Sequence, residues 1–445
     1  IKAVLTTADA TARYNGQVTG FEMNSSKNAT TNAEAAINLV SSKIIADRNG
    51  AGDGAVGAFI NYGKVSVDNK SSIEVETQTG NNANDKAVGV YAVNGSEVSN
   101  AGTIKVGGKQ SVGILGMAYR LDAKNKLVVD EFGSKAAGQG KVTITNTKDI
   151  TMTGENSIGI YANNNKTGSA VTNHIVTNSG TITVGKSSGA STAVAIYADK
   201  VTVKPENGTL KIAEGAVGVY ATPKTIVGEV NKNLGTIHFT GKNAVGIYLK
   251  GTTADGDSIL RGNKLTLKED KGTTTGKIGI FYDLQNVQTS NIEIDAANAN
   301  NVIAYYTKNK DLTVKAPITL GQGSVGMTGT TGKKFTYGDD TSATTNVMTL
   351  GKNSTGIYGD STITIGAKTN IKLQGESAIG AYAKGANGLI TSKGTLTFTK
   401  EKSTGLYAAN GAKIVEVAGA NSKLDFSAAT AKNNTGIYLA GANWE

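Results

Sequence analysis

Residues 235–248 read GTIHFTGKNAVGIY, and this stretch decides the fold. In its first half Thr236, Ile237, His238 and Phe239 alternate polar and apolar side chains, the period of a β-strand. The second half alternates likewise, so that Val245 and Ile247 share one face while Gly246 and Tyr248 share the other. A short turn of Thr, Gly, Lys and Asn joins the two. The second strand recurs as AVGVY ending at Tyr91, SIGIY at Tyr161, AVGVY at Tyr220, STGIY at Tyr358, STGLY at Tyr407 and NTGIY at Tyr438. Weaker copies end at Phe59, Leu115 and Thr328. Of 14 copies, all but two carry Gly in the middle (Ala195 and Ala304 are the exceptions), and 12 end on an aromatic residue.

Strands of the first kind precede these copies, as in GTIKV ending at Val106, GTITV at Val184 and GTLTF at Phe398. A third strand follows the aromatic residue in several units, for example KVTVK from Lys200 to Lys204 and STITI from Ser361 to Ile365. Successive motif centres lie 22 to 46 residues apart, which describes a constant unit carrying insertions. Three short strands in about 22 residues cannot bury their own apolar face, so neighbouring units must stack. The expected fold is all-β: a right-handed parallel β-helix of about 14 three-stranded rungs, the hand being the commoner one for this architecture. At about 4.8 Å per rung this makes a rod of roughly 70 Å. Helical repeats are disfavoured, because Thr, Val, Ile and Gly are poor helix formers.

Composition narrows the remaining classes. The 445 residues include 57 Gly but only 3 Pro and no Cys, which excludes collagen, disulfide scaffolds, Cys-based zinc sites and thiol catalysis. The longest apolar runs are too short for a membrane-crossing helix or a secretory leader. The net charge is +10, yet only Arg13, Arg48, Arg120 and Arg261 are arginines. Scattered lysines make a solvated surface rather than the clustered Arg forks of a nucleic-acid reader. No nucleic-acid partner is expected. Residues 1–50 lack clear motif copies and read as an irregular or degenerate-rung segment before the β-helix of 51–445. Within them NAEAAINLVSSKII, Asn32 to Ile45, reads either as a short helix capped at Asn32 or as a poor rung.

The recurring GIYA, GVYA and GLYA motifs, separated by NSGTITV-like strands in a chain rich in Lys, Asn and Thr, resemble the passenger domains of large fusobacterial type V autotransporter adhesins. The resemblance covers roughly residues 50 to 440. It implies a β-helical stalk exported through a C-terminal β-barrel to the bacterial cell surface, where such proteins attach to host cells and other bacteria. It makes this chain an internal or truncated piece of a passenger, without contact with the membrane itself. The expected partner is a surface receptor, either glycan or protein.

Insertions at rung corners are where contact specificity is expected. Three stretches stand out. Gly116 to Lys141 offers Tyr119, Arg120, Lys124 and Lys126; Lys250 to Asn263 offers Asp255, Asp257 and Arg261; Thr328 to Asn346 offers Lys333, Lys334, Tyr337, Asp339 and Asp340. The aromatic column is expected to project outward and to stack on itself, with Gly leaving room around the rings. No catalytic residue, metal or cofactor is expected. His174 and His238 are the only imidazoles, and His238 faces outward between Ile237 and Phe239. Gly256, Asp257 and Ser258 match the first three residues of the Gly-Asp-Ser-Gly nucleophile turn of serine-protease passengers, but Ile259 stands where the final Gly belongs. The alternatives are a spacer stalk without a receptor site, and a β-helical polysaccharide lyase or hydrolase using Asp339 with Asp340 or Asp255 with Asp257.

Overall fold

The computed structural model describes residues 2–4, 19–24, 35–48, 54–77, 85–118, 140–165, 171–270, 275–415, 422–427, 432–441 and 443–444. The chain folds as two compact units, Ile1–Glu229 with Ser258–Leu260, and Val230–Asp257 with Arg261–Glu445. Each is a parallel β-helix built from three sheets, and the chain visits them in fixed order, once per rung. In the first unit one rung runs through Ser72–Val75, Val88–Val93 and Glu97–Asn100 before the next begins at Thr103–Val106. Like residues then stack on like: Ile73, Ile104, Ile150, Ile182 and Leu210 stand in register in the first sheet, all buried. Each fully buried Ile or Leu contributes about 1.5–3 kcal/mol, a gain available only because the next rung covers it.

The second unit repeats the plan with Thr236–Phe239 in its first sheet and Val245–Thr252 in its second. Its third sheet runs from Gln288–Ser290 through Leu312–Val314, Phe335–Tyr337, Thr362–Ile365 and Leu389–Ser392 to Lys413–Val415 and Asn443–Trp444. Among the described residues the only helical piece is one 3-10 turn, Val171–Asn173, in the first unit.

The described residues of the stretch Asn32 to Ile45 form no helix. Ala35–Leu39 and Lys43–Asp47 are strands, paired in parallel with Gly63–Val67 and Ser72–Val75. Period two wins over Ala content here, with Leu39, Ile44 and Ala46 buried. Thr19–Asn24 is a further second-sheet strand, in which Gly20 takes the motif's Gly position and Glu22 stands against Phe59 in the aromatic column.

The faces of the second-sheet strand differ from strict alternation. Val245 and Tyr248 point outward, but Gly246 and Ile247 are both buried, so the alternation slips by one residue at the glycine. A Cβ on Gly246 would lie 2.6 Å from the Gly279 carbonyl oxygen of the next rung and 3.1 Å from Ile237 Cγ1 of the first sheet. The glycine therefore makes room for the core, not for the aromatic rings.

Two further columns precede it. The first motif residue is small and buried: Ala55, Ala87, Ser111, Ser157, Ala193 and Ala216 in the first unit, Ala244, Ser324, Ser354, Ala378 and Ser403 in the second. Its serines link rungs. Ser111 Oγ accepts the Ala87 N–H at 3.0 Å, and Ser354 Oγ accepts the Ser324 N–H at 3.1 Å while donating to the Gly321 carbonyl at 2.7 Å. The residue before it turns the corner in the left-handed conformation, as in Asn156 (φ 57°), Asn243 (φ 54°) and Asn353 (φ 55°). Asn tolerates that conformation best among residues with a side chain, and Gly323 serves at φ 65° in another rung.

Buried polar side chains form a ladder at the end of the third strand. Asn100 Nδ2 donates to Asn146 Oδ1 at 2.7 Å, and Asn146 Nδ2 donates to Asn178 Oδ1 at 2.7 Å. All three are essentially inaccessible. Asn146→Ala would strand a donor on Asn100 and an acceptor on Asn178. The expected loss is about 2 kcal/mol, read as a lower urea midpoint of unfolding.

Candidate contact surfaces

The aromatic column projects outward and stacks as expected. In the first unit Tyr161, Tyr197 and Tyr220 lie face to face at 5.0 and 5.3 Å, nearly parallel. In the second, Tyr248, Phe281 and Tyr306 follow at 4.9 Å steps, and Tyr382 stacks on Tyr407 at 4.6 Å. The inner rings, Tyr197 and Phe281, have a stacked aromatic neighbour on each side. Burial lifts the Tyr197 hydroxyl to about 12, and Tyr161 is raised by the same cause.

The stretch Lys250 to Asn263 opens with a hairpin and continues into the third-sheet strand Ile259–Leu260, paired in parallel with Ile226–Val227. The Val245–Thr252 strand continues past the usual rung length and pairs antiparallel with Gly256–Asp257, Gly251 opposite Asp257. Asp255 and Arg261 are exposed. Asp257 locks the hairpin to the following rung. Its Oδ1 accepts the Gln285 N–H at 2.7 Å, and its Oδ2 accepts from Asn286 N at 3.1 Å and Asn286 Nδ2 at 2.9 Å. Asp257 is thus a clamp.

Thr328 to Asn346 is less an insertion than a rung. It contains the third-sheet strand Phe335–Tyr337, and both aromatic side chains lie in the core. Tyr337 is fully buried, which removes it from any contact surface. Lys334 is exposed and Lys333 half-exposed. Asp339 accepts from Ser342 N at 2.7 Å and Thr341 N at 3.2 Å and pairs with Lys315 at 3.3 Å. Asp340 pairs with Lys393 at 2.5 Å and accepts from Ala367 N at 2.9 Å. The Ser342 amide and Lys315 hold Asp339 below the usual carboxylate range, and Lys393 and the Ala367 amide do the same for Asp340. Neither is poised as a proton donor. Tyr119, Arg120, Lys124 and Lys126 lie outside the described residues.

Many lysines answer carboxylates on adjacent rungs. Glu155 lies between Lys109 and Lys186, and Glu376 between Lys352 and Lys402, at 3.0–3.7 Å. His238 points outward and meets Asp270 at 2.8 Å. His174 is buried, with Nδ1 accepting the Val142 N–H at 3.1 Å, so its place is in the core. Among the described residues no three His, Asp or Glu side chains converge as metal ligands.

Two clusters carry no signal in the one-dimensional pattern. Asp283 accepts from Tyr248 Oη at 2.6 Å and Asn309 Nδ2 at 2.5 Å and pairs with Lys308 at 3.1 Å. Burial pushes its carboxyl up, but these three partners hold it below the ordinary value. Lys277, fully buried, pairs with Glu269, whose side chain is 8% exposed. Both ions stand where other rungs place apolar or small residues.

Asp283, Asp339, Asp340, Glu155 and Glu376 are all depressed in the folded chain. Their stabilisation is complete above the ordinary values of 3.8 and 4.5 and is lost as pH falls through the lower folded values. The urea midpoint is expected to hold steady from about pH 7 to about pH 5 and to drop below about pH 4. An acid-independent midpoint would contradict these pairings.

Comparison with protein-family models, with curated proteins and with solved structures found no match to this chain.

Proposed function

We propose that this chain is part of a surface-exposed adhesin passenger, a β-helical scaffold that holds contact elements for a receptor on host cells or other bacteria. The supporting observation is the Asp257-locked hairpin. A projection of exposed residues, Thr253, Ala254 and Asp255, is held to the next rung by three hydrogen bonds that the Asp257 carboxylate accepts. A preorganised projection binds without the entropy loss of ordering a free loop. The resemblance of the GIYA-type repeats to fusobacterial autotransporter passengers points the same way. In this reading the chain sits outside the cell and is tethered through a β-barrel elsewhere in its parent protein.

The test is attachment of the purified chain to host cells and partner bacteria, before and after enzymatic deglycosylation. Replacing residues 253–256 by a two-residue turn, or Asp257→Ala, is expected to reduce saturable attachment at least tenfold while the rungs stay folded. Attachment unchanged by either variant would reduce the hairpin to a passive corner. No attachment by the folded chain would leave a spacer.

A further inference from the structure

Asn followed by Gly occurs six times in the chain, at Asn15, Asn49, Asn94, Asn207, Asn387 and Asn410. In such a pair the glycine's backbone nitrogen, with no side chain to hinder it, can attack the Asn carboxamide carbon. The last four pairs lie among the described residues, and their surroundings differ. The Gly208 N–H donates to the Pro205 carbonyl at 2.9 Å, the Gly388 N–H to the Gly385 carbonyl at 2.9 Å, and the Gly411 N–H to the Gly441 carbonyl at 2.7 Å. The Gly95 N–H has no acceptor among the described residues, and Gly95 is half-exposed. Asn94 and Gly95 turn the corner between the second-sheet strand Val88–Val93 and the third-sheet strand Glu97–Asn100, both at positive φ, 56° and 79°. Asn207 and Asn410 share that conformation, at φ 54° and 55°, so backbone shape does not distinguish Asn94. The unbonded amide of its glycine does.

We propose that Asn94 is a site of spontaneous deamidation in the folded chain. Ring closure requires the peptide plane between Asn94 and Gly95 to rotate until the nitrogen meets Cγ. A hydrogen-bonded N–H pins that plane, and releasing it costs a local opening of the turn. At Gly95 no such bond has to break, and solvent base can take the amide proton. The nitrogen then bonds to Cγ, the Cγ–Nδ2 bond breaks, and Nδ2 leaves as ammonia with a proton from water. That leaving group donates to Asn61 Oδ1 at 2.7 Å before the reaction. Water opens the resulting succinimide at either carbonyl, giving aspartate or isoaspartate at position 94. Both products set a carboxylate where a neutral donor met the Asn61 oxygen, and Asn61 is buried. Isoaspartate also adds one carbon to the main chain between Val93, in register with Asn61, and Glu97, in register with Lys64. The rung at this corner is therefore the one that loosens with age.

The inference is independent of the adhesin reading and stands whether or not the chain attaches to cells. The experiment incubates the whole chain at mildly alkaline pH and body temperature, with a parallel sample in concentrated urea. Peptide mapping by mass spectrometry follows the gain of about one mass unit at each Asn–Gly pair, and isoaspartyl methyltransferase labels the isoaspartate. Each site's rate in the folded chain is divided by its own rate in urea, which removes the effect of flanking sequence. That ratio is expected to be at least fivefold higher at Asn94 than at Asn207, Asn387 and Asn410. Asn15 and Asn49 lie outside the described residues, and mapping reads their peptides separately. A ratio at Asn94 no higher than at the other three would overturn the proposal. So would an Asn94 that reacts in urea and stays intact in the folded chain.

Discussion

Lys277→Met is expected to destabilise the second unit by about 3–5 kcal/mol, the usual result of removing one partner from a buried ion pair. Lys277 occupies the column filled in other rungs by Ala244, Val302, Ser324, Ser354 and Ala378, with Val302 directly in register on the next rung, and none of its surface reaches solvent. Glu269 stands in register with the buried Phe239. Removing the ammonium leaves a carboxylate in a space built for hydrocarbon. The second substitution decides the cause. Lys277→Met together with Glu269→Leu removes both charges at similar volume, and such replacements are often neutral or stabilising by about 1–4 kcal/mol. Urea unfolding of the wild type, Lys277→Met and the double variant is the measurement. A double variant as weak as the single one would show that the cost lies in packing rather than in the stranded charge.

Gly89→Val is expected to cost about 3 kcal/mol, the upper end of overpacking penalties, because backbone stands in the way. A Cβ at this position would lie 2.4 Å from the Gly113 carbonyl oxygen, 2.7 Å from Ile104 Cγ2 and 3.1 Å from Val106 Cγ2. The carbonyl belongs to the next rung's second-sheet strand and cannot retreat without opening the parallel ladder. Ala195 and Ala304 show that a single methyl is tolerated in some rungs, both being fully buried. Ala195→Gly is therefore the control, expected to cost no more than about 1 kcal/mol through backbone entropy. A Gly89→Val variant with an unshifted urea midpoint would mean that the inward column is not the reason for glycine.

The repeat carries most of the architecture because it is written in large side chains. Ile104, Ile182 and Phe398 in one strand and Tyr161, Tyr248 and Tyr407 in the other are visible at a glance, and their period of two identifies strands. The inward turn of Gly246 is not legible, since strict alternation places it with Tyr248; only the packing of Ile237 against it reveals the slip. The Ala and Ser column is equally hard to see because small residues carry little weight in hydropathy, although Ser354 ties two rungs together. Degenerate rungs hide for a related reason: Glu22 occupies an aromatic position, and Ala35, Ile37 and Leu39 look helical in composition. At the contact surfaces, charge alone does not distinguish a free carboxylate from a clamp. Asp257, Asp339 and Asp340 look available in the sequence, but Asp257 and Asp340 each hold a neighbouring segment in place, and Asp339 closes its own turn and pairs with Lys315. Tyr337 reads as a loop residue because its strand is only three residues long.

The glycine column also bears on how such a gene changes. At Gly57, Gly89, Gly113, Gly246, Gly326, Gly356, Gly380 and Gly405 an added Cβ would meet the carbonyl of the counterpart one rung on, so these meeting points are fixed while the distance along the chain between them is not. Unequal exchange between two copies of the motif, for instance one joining the codon of Tyr358 to that of Ala383, would remove one whole rung. Ala383 would then follow Tyr358 as Gly359 does now, since Gly359 and Ala383 already stand in register. The columns would close over the junction without a scar. Recombination within such a gene is thereby biased toward products that fold, differing by whole rungs.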